Sequence, residues 1–205
     1  MEVSFLFTII ILIMSVVIHE VSHGYAAYLM GDSTAKNAGR LTLNPLAHLD
    51  LMGSLIVPLI AYLSAGFMFG WAKPVPYNPY NLKNQKHGDA LVAVAGPASN
   101  LLVALIFGLL IRFNFLVGAT DFIMAIQMIV IINLILAIFN LLPIPPLDGS
   151  KILFSFLPYR YIKFKQNLER YSLFLLLFVI FFLWKSLFPL IFFLFSLITG
   201  LQGLS

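Results

Sequence analysis

Within the apolar run from Val3 to Met30 lies His19-Glu20-Val21-Ser22-His23. Residues four apart on a helix share a face, so both imidazoles can reach one metal ion. Glu20 sits one step round the helix, close enough to act on water at that metal without ligating it. These residue types at this spacing suit metal-assisted hydrolysis. Ionisable side chains inside a membrane run are costly and by default mark function. The plainer reading, three polar residues satisfying one another in a helix bundle, leaves the match of spacing and residue type to coincidence.

Two imidazoles do not complete a catalytic zinc site, which takes three protein ligands and keeps one position open. A Glu on a second helix could be the third, but the only Glu after Glu20 is Glu169, in a basic juxtamembrane stretch. The longer motif with Gly at 26 and His at 29 also fails, because the chain has Ala26 and Leu29. His48, His87, Asp32, Asp50, Asp89, Asp121 and Asp148 remain. Asp148 stands out. It closes the stretch Asn140-Leu-Leu-Pro-Ile-Pro-Pro-Leu-Asp148-Gly149, directly after an apolar span. Three prolines break the helix there and free backbone groups that need partners. The plainer role for Asp148 is N-cap of a short helix over Gly149 to Leu157. A metal lacking its third ligand favours ligation.

The elements that must hold these residues are membrane helices. The chain has 205 residues, of which 61% are apolar and 10% charged, with 20 Phe. An average soluble domain is about 25% charged. A soluble fold of this size cannot hide so much apolar surface. A disordered or nucleic-acid-binding chain is excluded, and the net charge of +4 comes from Lys and Arg in short loops. The absence of Cys removes disulfides, thiolate metal sites and a Cys nucleophile. The head, Met1-Glu2, lacks the basic region of a cleavable signal peptide.

Candidate spans are Val3 to Met30, Leu49 to Trp71, Ala90 to Ile111, Phe122 to Leu142 and Tyr171 to Leu201. The last is either one long tilted helix or a helical hairpin. The second contains Pro58 in its middle, with Gly53, Gly66 and Gly70 around that proline. If it crosses fully, Lys and Arg divide eight against three between the two sides; if it dips in and returns, ten against one, with Arg112 alone. The positive-inside rule favours the re-entrant plan. So does ligand geometry. The metal motif lies late in the first span and Asp148 follows the end of the Phe122 span, so the two spans should run parallel. That plan puts the N-terminus outside and the site toward the cytoplasm. The expected fold is an all-α polytopic membrane protein, a helix bundle with a re-entrant segment.

Three segments together, His19-Glu-Val-Ser-His-Gly24, Gly96-Pro-Ala-Ser-Asn100 and Asn140 to Gly149, resemble the site-2 protease family of intramembrane zinc metalloproteases. The resemblance runs from about Val3 to Leu157. It implies His19, His23 and Asp148 as ligands of one Zn²⁺ per chain and Glu20 as catalytic acid/base. It places Asn140 and Asn100 at family motif positions near the active site; amides in apolar runs need partners, and these two serve either packing hydrogen bonds or the substrate carbonyl and its oxyanion. Gly70 to Pro79 looks like the compact subgroup, without a PDZ or nucleotide-sensing domain. The resemblance also implies a multi-pass protein of a bacterial or archaeal cell membrane.

Arg40-Leu41-Thr42-Leu43 alternates polar and apolar, which suits either a short membrane-associated strand or a surface loop. The resemblance implies the strand, whose free edge could pair with an unwound substrate. His48 is either a group supporting the site or a solvated loop His. Tyr159 to Lys165 is aromatic and basic, an interfacial segment on anionic lipid. The expected division is a metalloprotease core, 1–157, followed by the interfacial segment and C-terminal membrane helix or hairpin, 158–205. The expected function is a zinc endopeptidase cutting in or near transmembrane segments of membrane-protein substrates. Its partners are that substrate and the lipid bilayer, and no nucleic acid. The alternative is a non-catalytic zinc-binding membrane protein, a pseudoprotease or metal carrier.

Overall fold

The computed structural model describes residues 2–57, 63, 72–85, 87–113 and 120–201. Among them every regular element is helical. In chain order the α-helices are α1 (Glu2–Leu29), the single turn α2 (Thr34–Asn37), α3 (Gly88–Arg112), α4 (Thr120–Asn140), α5 (Asp148–Phe156), α6 (Ile162–Arg170), α7 (Ser172–Phe178) and α8 (Trp184–Thr199), with short 3-10 or π-helical turns between them. Among the described residues three helices are long and apolar enough to cross a membrane: Leu6–Leu29, Gly88–Arg112 and Phe122–Asn140.

Cross-helix bonds fix their directions. Ser15 and His19 of α1 meet Asn100 of α3, and His23 meets Val92. Numbers rise along one helix as they fall along the other, so α1 and α3 are antiparallel. Thr8 bonds to Met128 Sδ and Ser15 to Asn133, both in rising order, so α1 and α4 are parallel. Antiparallel α1 and α3 mean that the connection between them begins and ends on one face. Its ends are tied together: Lys83 N–H donates to the Met30 carbonyl at 2.8 Å and Lys73 N–H to that of His48 at 2.9 Å. A full crossing by Leu49 to Trp71 would part His48 from Lys73 by the bilayer core, about 30 Å. The two ends of the run, at His48 and Lys73, therefore lie on one face. Most of its interior, 58–62 and 64–71, lies outside the described residues.

The connection is built from short capped turns. Asn44, Asp50 and Asn78 accept bonds from the backbone N–H groups of Leu46, Met52 and Tyr80, and proline follows both asparagines. This is favoured helix-start chemistry. The strand expected at Arg40–Leu43 does not form. No second strand lies beside it among the described residues, and a strand needs a ladder partner.

The C-terminal run is continuously helical over 172–199, through a π-helical turn at Val179–Leu183. A hairpin needs a non-helical reversal, so the run is a single rod. Amphipathic α6 meets it at 67°. The rod is more than a lipid anchor: Ile191 and Phe195 pack with Ala104 and Ile111 of α3 and Ile126, Val130 and Leu134 of α4. Side chains such as Leu6, Ile10, Leu102, Ile106 and Phe193 point away from the bundle. Hydrocarbon is the solvent they suit.

Candidate metal centre

Parallel α1 and α4 bring the late part of α1 beside the chain that leaves α4. His19 and His23, one helical turn apart, face the start of α5. Asp148 is the first residue of α5, and Leu147 is the N-cap, with no side-chain cap bond. The capping role open to Asp148 in the sequence is therefore not the one it takes. Its Oδ2 lies 3.1 Å from His19 Nε2 and 3.1 Å from His23 Nε2. Gly149 permits this placement. A Cβ there would lie 2.3 Å from the Leu141 and Leu142 carbonyl oxygens, so only glycine lets the turn fold back on the end of α4.

The tautomers follow from the other ring nitrogens. His23 Nδ1 is 2.7 Å from the Val92 carbonyl, which can only accept, so Nδ1 carries the proton. His19 Nδ1 is 2.6 Å from Asn100 Oδ1. The Asn100 amide is oriented by its NH₂ group, which donates to the Ser15 carbonyl and to Asn133 Oδ1. Its oxygen must therefore face His19. In the neutral rings both Nε2 atoms then hold lone pairs, and they converge with a carboxylate oxygen. Three acceptors with no donor among them repel unless a cation joins them.

The three ligand atoms lie within 4.8 Å of one another, and all three residues are buried. The Nε2–Oδ2 spacing of 3.1 Å is close to the edge, about 3.3 Å, of a tetrahedron of ligands around zinc. Gly96 keeps the space open: a Cβ there would stand 2.4 Å from His23 Nε2 and 2.6 Å from His19 Nε2. The donor set, its tautomers and this clearance fit a zinc ion.

The other expected site residues fall into place differently. Glu20 is half-buried, and its Oε2 accepts the Val75 N–H at 2.9 Å. Asn100 is fully buried beneath His19, committed to the imidazole, Ser15 and Asn133. It holds the His19 ring and leaves no donor for an oxyanion. Asn140 turns its NH₂ group back to the Leu136 carbonyl on its own helix at 3.0 Å. His48 is buried, with Nε2 2.8 Å from the Thr42 carbonyl, away from the ligand group. His87 pairs with Ser155, and Asp89 accepts the Tyr77 hydroxyl. Two residues not singled out in the sequence complete the His19 support. Fully buried Asn133 donates to Ser15 Oγ at 2.9 Å and to the Ile129 carbonyl at 2.8 Å. An Asn inside the apolar run of α4 was the available signal, since such a group needs a partner. A cavity of about 500 Å³ lies beside α5, lined by Gln85, Asp89, Pro145, Pro146, Ser150 and Lys151 among others, and does not include the three ligands.

The family model described as Peptidase family M50 matches residues 116–183. A Bacillus subtilis (strain 168) protein named "Putative zinc metalloprotease YwhC" is 41% identical over 162 residues, covering 74% of this chain and 69% of that protein. "Putative zinc metalloprotease Rip2" of Mycolicibacterium smegmatis is 32% identical over 137 residues, covering 67% of this chain and 52% of that protein. Rip2 of Mycobacterium tuberculosis H37Rv is 28% identical over the same length. The chain thus spans about half the length of the Rip2 relatives. No solved structure matches. The fold and site define a polytopic membrane protein with a buried metal-competent group. The chain belongs to peptidase family M50, the site-2 protease family of zinc metalloproteases.

Proposed function

We propose that this chain is an intramembrane zinc endopeptidase that hydrolyses peptide bonds in or near transmembrane segments of membrane-protein substrates. The observation that carries this reading is the convergence of His19 Nε2, His23 Nε2 and Asp148 Oδ2 beside Glu20, on a helix apolar enough to span a bilayer. Each chain takes one zinc ion on His19, His23 and Asp148. Zinc there supplies Lewis acidity, polarising the scissile carbonyl and bringing the pKa of water toward about 7.

The chain's own residues do the rest. The Val92 carbonyl and Asn100 keep the imidazoles turned with Nε2 inward. Glu20 takes the proton of the attacking water and delivers it to the leaving amine nitrogen. Residues 1–157 carry this chemistry, and 158–205 add the interfacial helix and the C-terminal membrane rod. The basic residues flanking the site side support an orientation with the site toward the cytoplasm of a cell membrane.

The test is cleavage of a synthetic transmembrane peptide by purified protein, wild type against Glu20→Gln, in matched detergent and zinc. Gln keeps the shape but is no usable base at neutral pH. Glu20→Gln should keep its zinc and lose cleavage by at least about 10²-fold. Equal cleavage would remove Glu20 from the chemistry. A metal carrier would show no cleavage in either protein.

A further inference from the structure

Residues 73–78, Lys-Pro-Val-Pro-Tyr-Asn, form no regular element yet are pinned along their length. Prolines at 74 and 76 lack an N–H, so Val75 supplies the one backbone donor between them. That donor goes to Glu20 Oε2 at 2.9 Å. The Val75 side chain is seated on α1 one turn beyond Glu20, where a Cβ built at Gly24 would be 2.8 Å from Val75 Cγ1.

Both ends are fastened by charged groups distant in sequence from Glu20. Upstream, buried Arg40 donates through Nη2 to the Lys73 carbonyl at 2.7 Å, while Lys73 N–H donates to the His48 carbonyl at 2.9 Å. Downstream, Asn78 N–H donates to Asp32 Oδ2 at 2.7 Å, and the Tyr77 hydroxyl donates to Asp89.

We propose that residues 73–78 are a positioning strap for Glu20. The Val75 N–H fixes one carboxylate oxygen, so the other is the one presented for proton transfer, and Arg40 and Asp32 act through the strap. The proposal rests on the reading of Glu20 as the proton carrier. A Glu side chain has three rotatable bonds, and a fixed donor removes the reorientation that would otherwise precede each transfer. The prolines serve the same end, since a proline-flanked residue has few other conformations.

The experiment uses the full chain in micelles, with cleavage of a synthetic transmembrane peptide, zinc content and Val75 amide exchange in ¹⁵N-valine-labelled protein. Val75→Pro removes the N–H. Val75→Ala trims the side chain but keeps it. Val75→Pro should keep its zinc and the KM of Val75→Ala, with kcat lower by about tenfold or more. The Val75 amide should exchange slowly in wild type and at least about tenfold faster in Glu20→Ala, a readout that does not need Val75→Pro to fold. Equal kcat in the two Val75 variants would overturn the strap. So would a loss of zinc or a raised KM in Val75→Pro, or exchange unchanged by Glu20→Ala. Wild-type cleavage by Glu20→Gln would instead overturn the catalytic reading, and the exchange result would still decide whether the strap holds Glu20.

Discussion

Asn100 accepts the Nδ1–H of His19 at 2.6 Å from across the α1–α3 interface. That bond sets which nitrogen of His19 is left for a metal. The amide is held by Ser15 and Asn133, so the orientation of one imidazole depends on three helices.

Replacing Asn100 with Leu should therefore act on metal binding. The ring loses its acceptor and its fixed tautomer, and outer partners of this kind are worth about 10–100-fold in metal affinity. Competition with a chelator, monitored by Zn²⁺ or Co²⁺ content, reads this directly. Asn133→Leu should move affinity the same way by a smaller factor, because it only frees the Asn100 amide. An unchanged affinity in Asn100→Leu would assign the bond to packing alone.

Gly96→Ala places a methyl group against His23 Nε2 and His19 Nε2, at 2.4 and 2.6 Å. Neither imidazole can retreat without losing its Nδ1 bond. Zinc content should fall to near zero while the helix content measured by circular dichroism stays at the wild-type level. Full zinc occupancy in Gly96→Ala would show that the ligands sit elsewhere.

Asp32 gives the fold a pH dependence. Burial raises its carboxyl, but bonds from the Thr34 hydroxyl, Asn81, and the Asn78 and Thr34 N–H groups outweigh this and hold it below the usual carboxylate range. A depressed carboxyl contributes stability above its unfolded pKa, near 3.9, and that contribution is lost as pH falls through the folded value. Asp32→Asn should lower the thermal midpoint at pH near 6, with a cost of about 1–3 kcal/mol. At pH near 2 the gap from wild type should narrow. An equal gap at both pH values would show that the charge on Asp32 contributes nothing.

The sequence exposed those parts of the site that depend on spacing along one element. His19 and His23 are read from the helical repeat, and Asp148 from a proline-broken helix end once the downstream Glu and the longer Gly/His motif fail. That the two ends of the α1–α3 connection share a face was legible in the charges on Lys36, Arg40, Lys73 and Lys83, because sidedness is written in loop composition. Contacts set only by packing were not legible. Asn100 carried a motif but not a role, since oxyanion donor and imidazole acceptor look alike until the amide's other partners are placed. Asn133 and the Val75 N–H depend on which helix faces meet. The Arg40–Leu43 alternation suggested a strand, but periodicity cannot supply the neighbouring strand. The largely apolar 172–199 run, with Lys185 near its middle, gave no sign of its core-facing side, which Phe195 and Ile191 define.

The central claim is that His19, His23 and Asp148 hold one catalytic zinc. It is tested most directly by zinc content and peptide cleavage in purified wild type and Asp148→Ala. The account predicts about one zinc per chain in wild type, and loss of most of the zinc together with cleavage in Asp148→Ala. Full occupancy with undiminished cleavage in Asp148→Ala would contradict it.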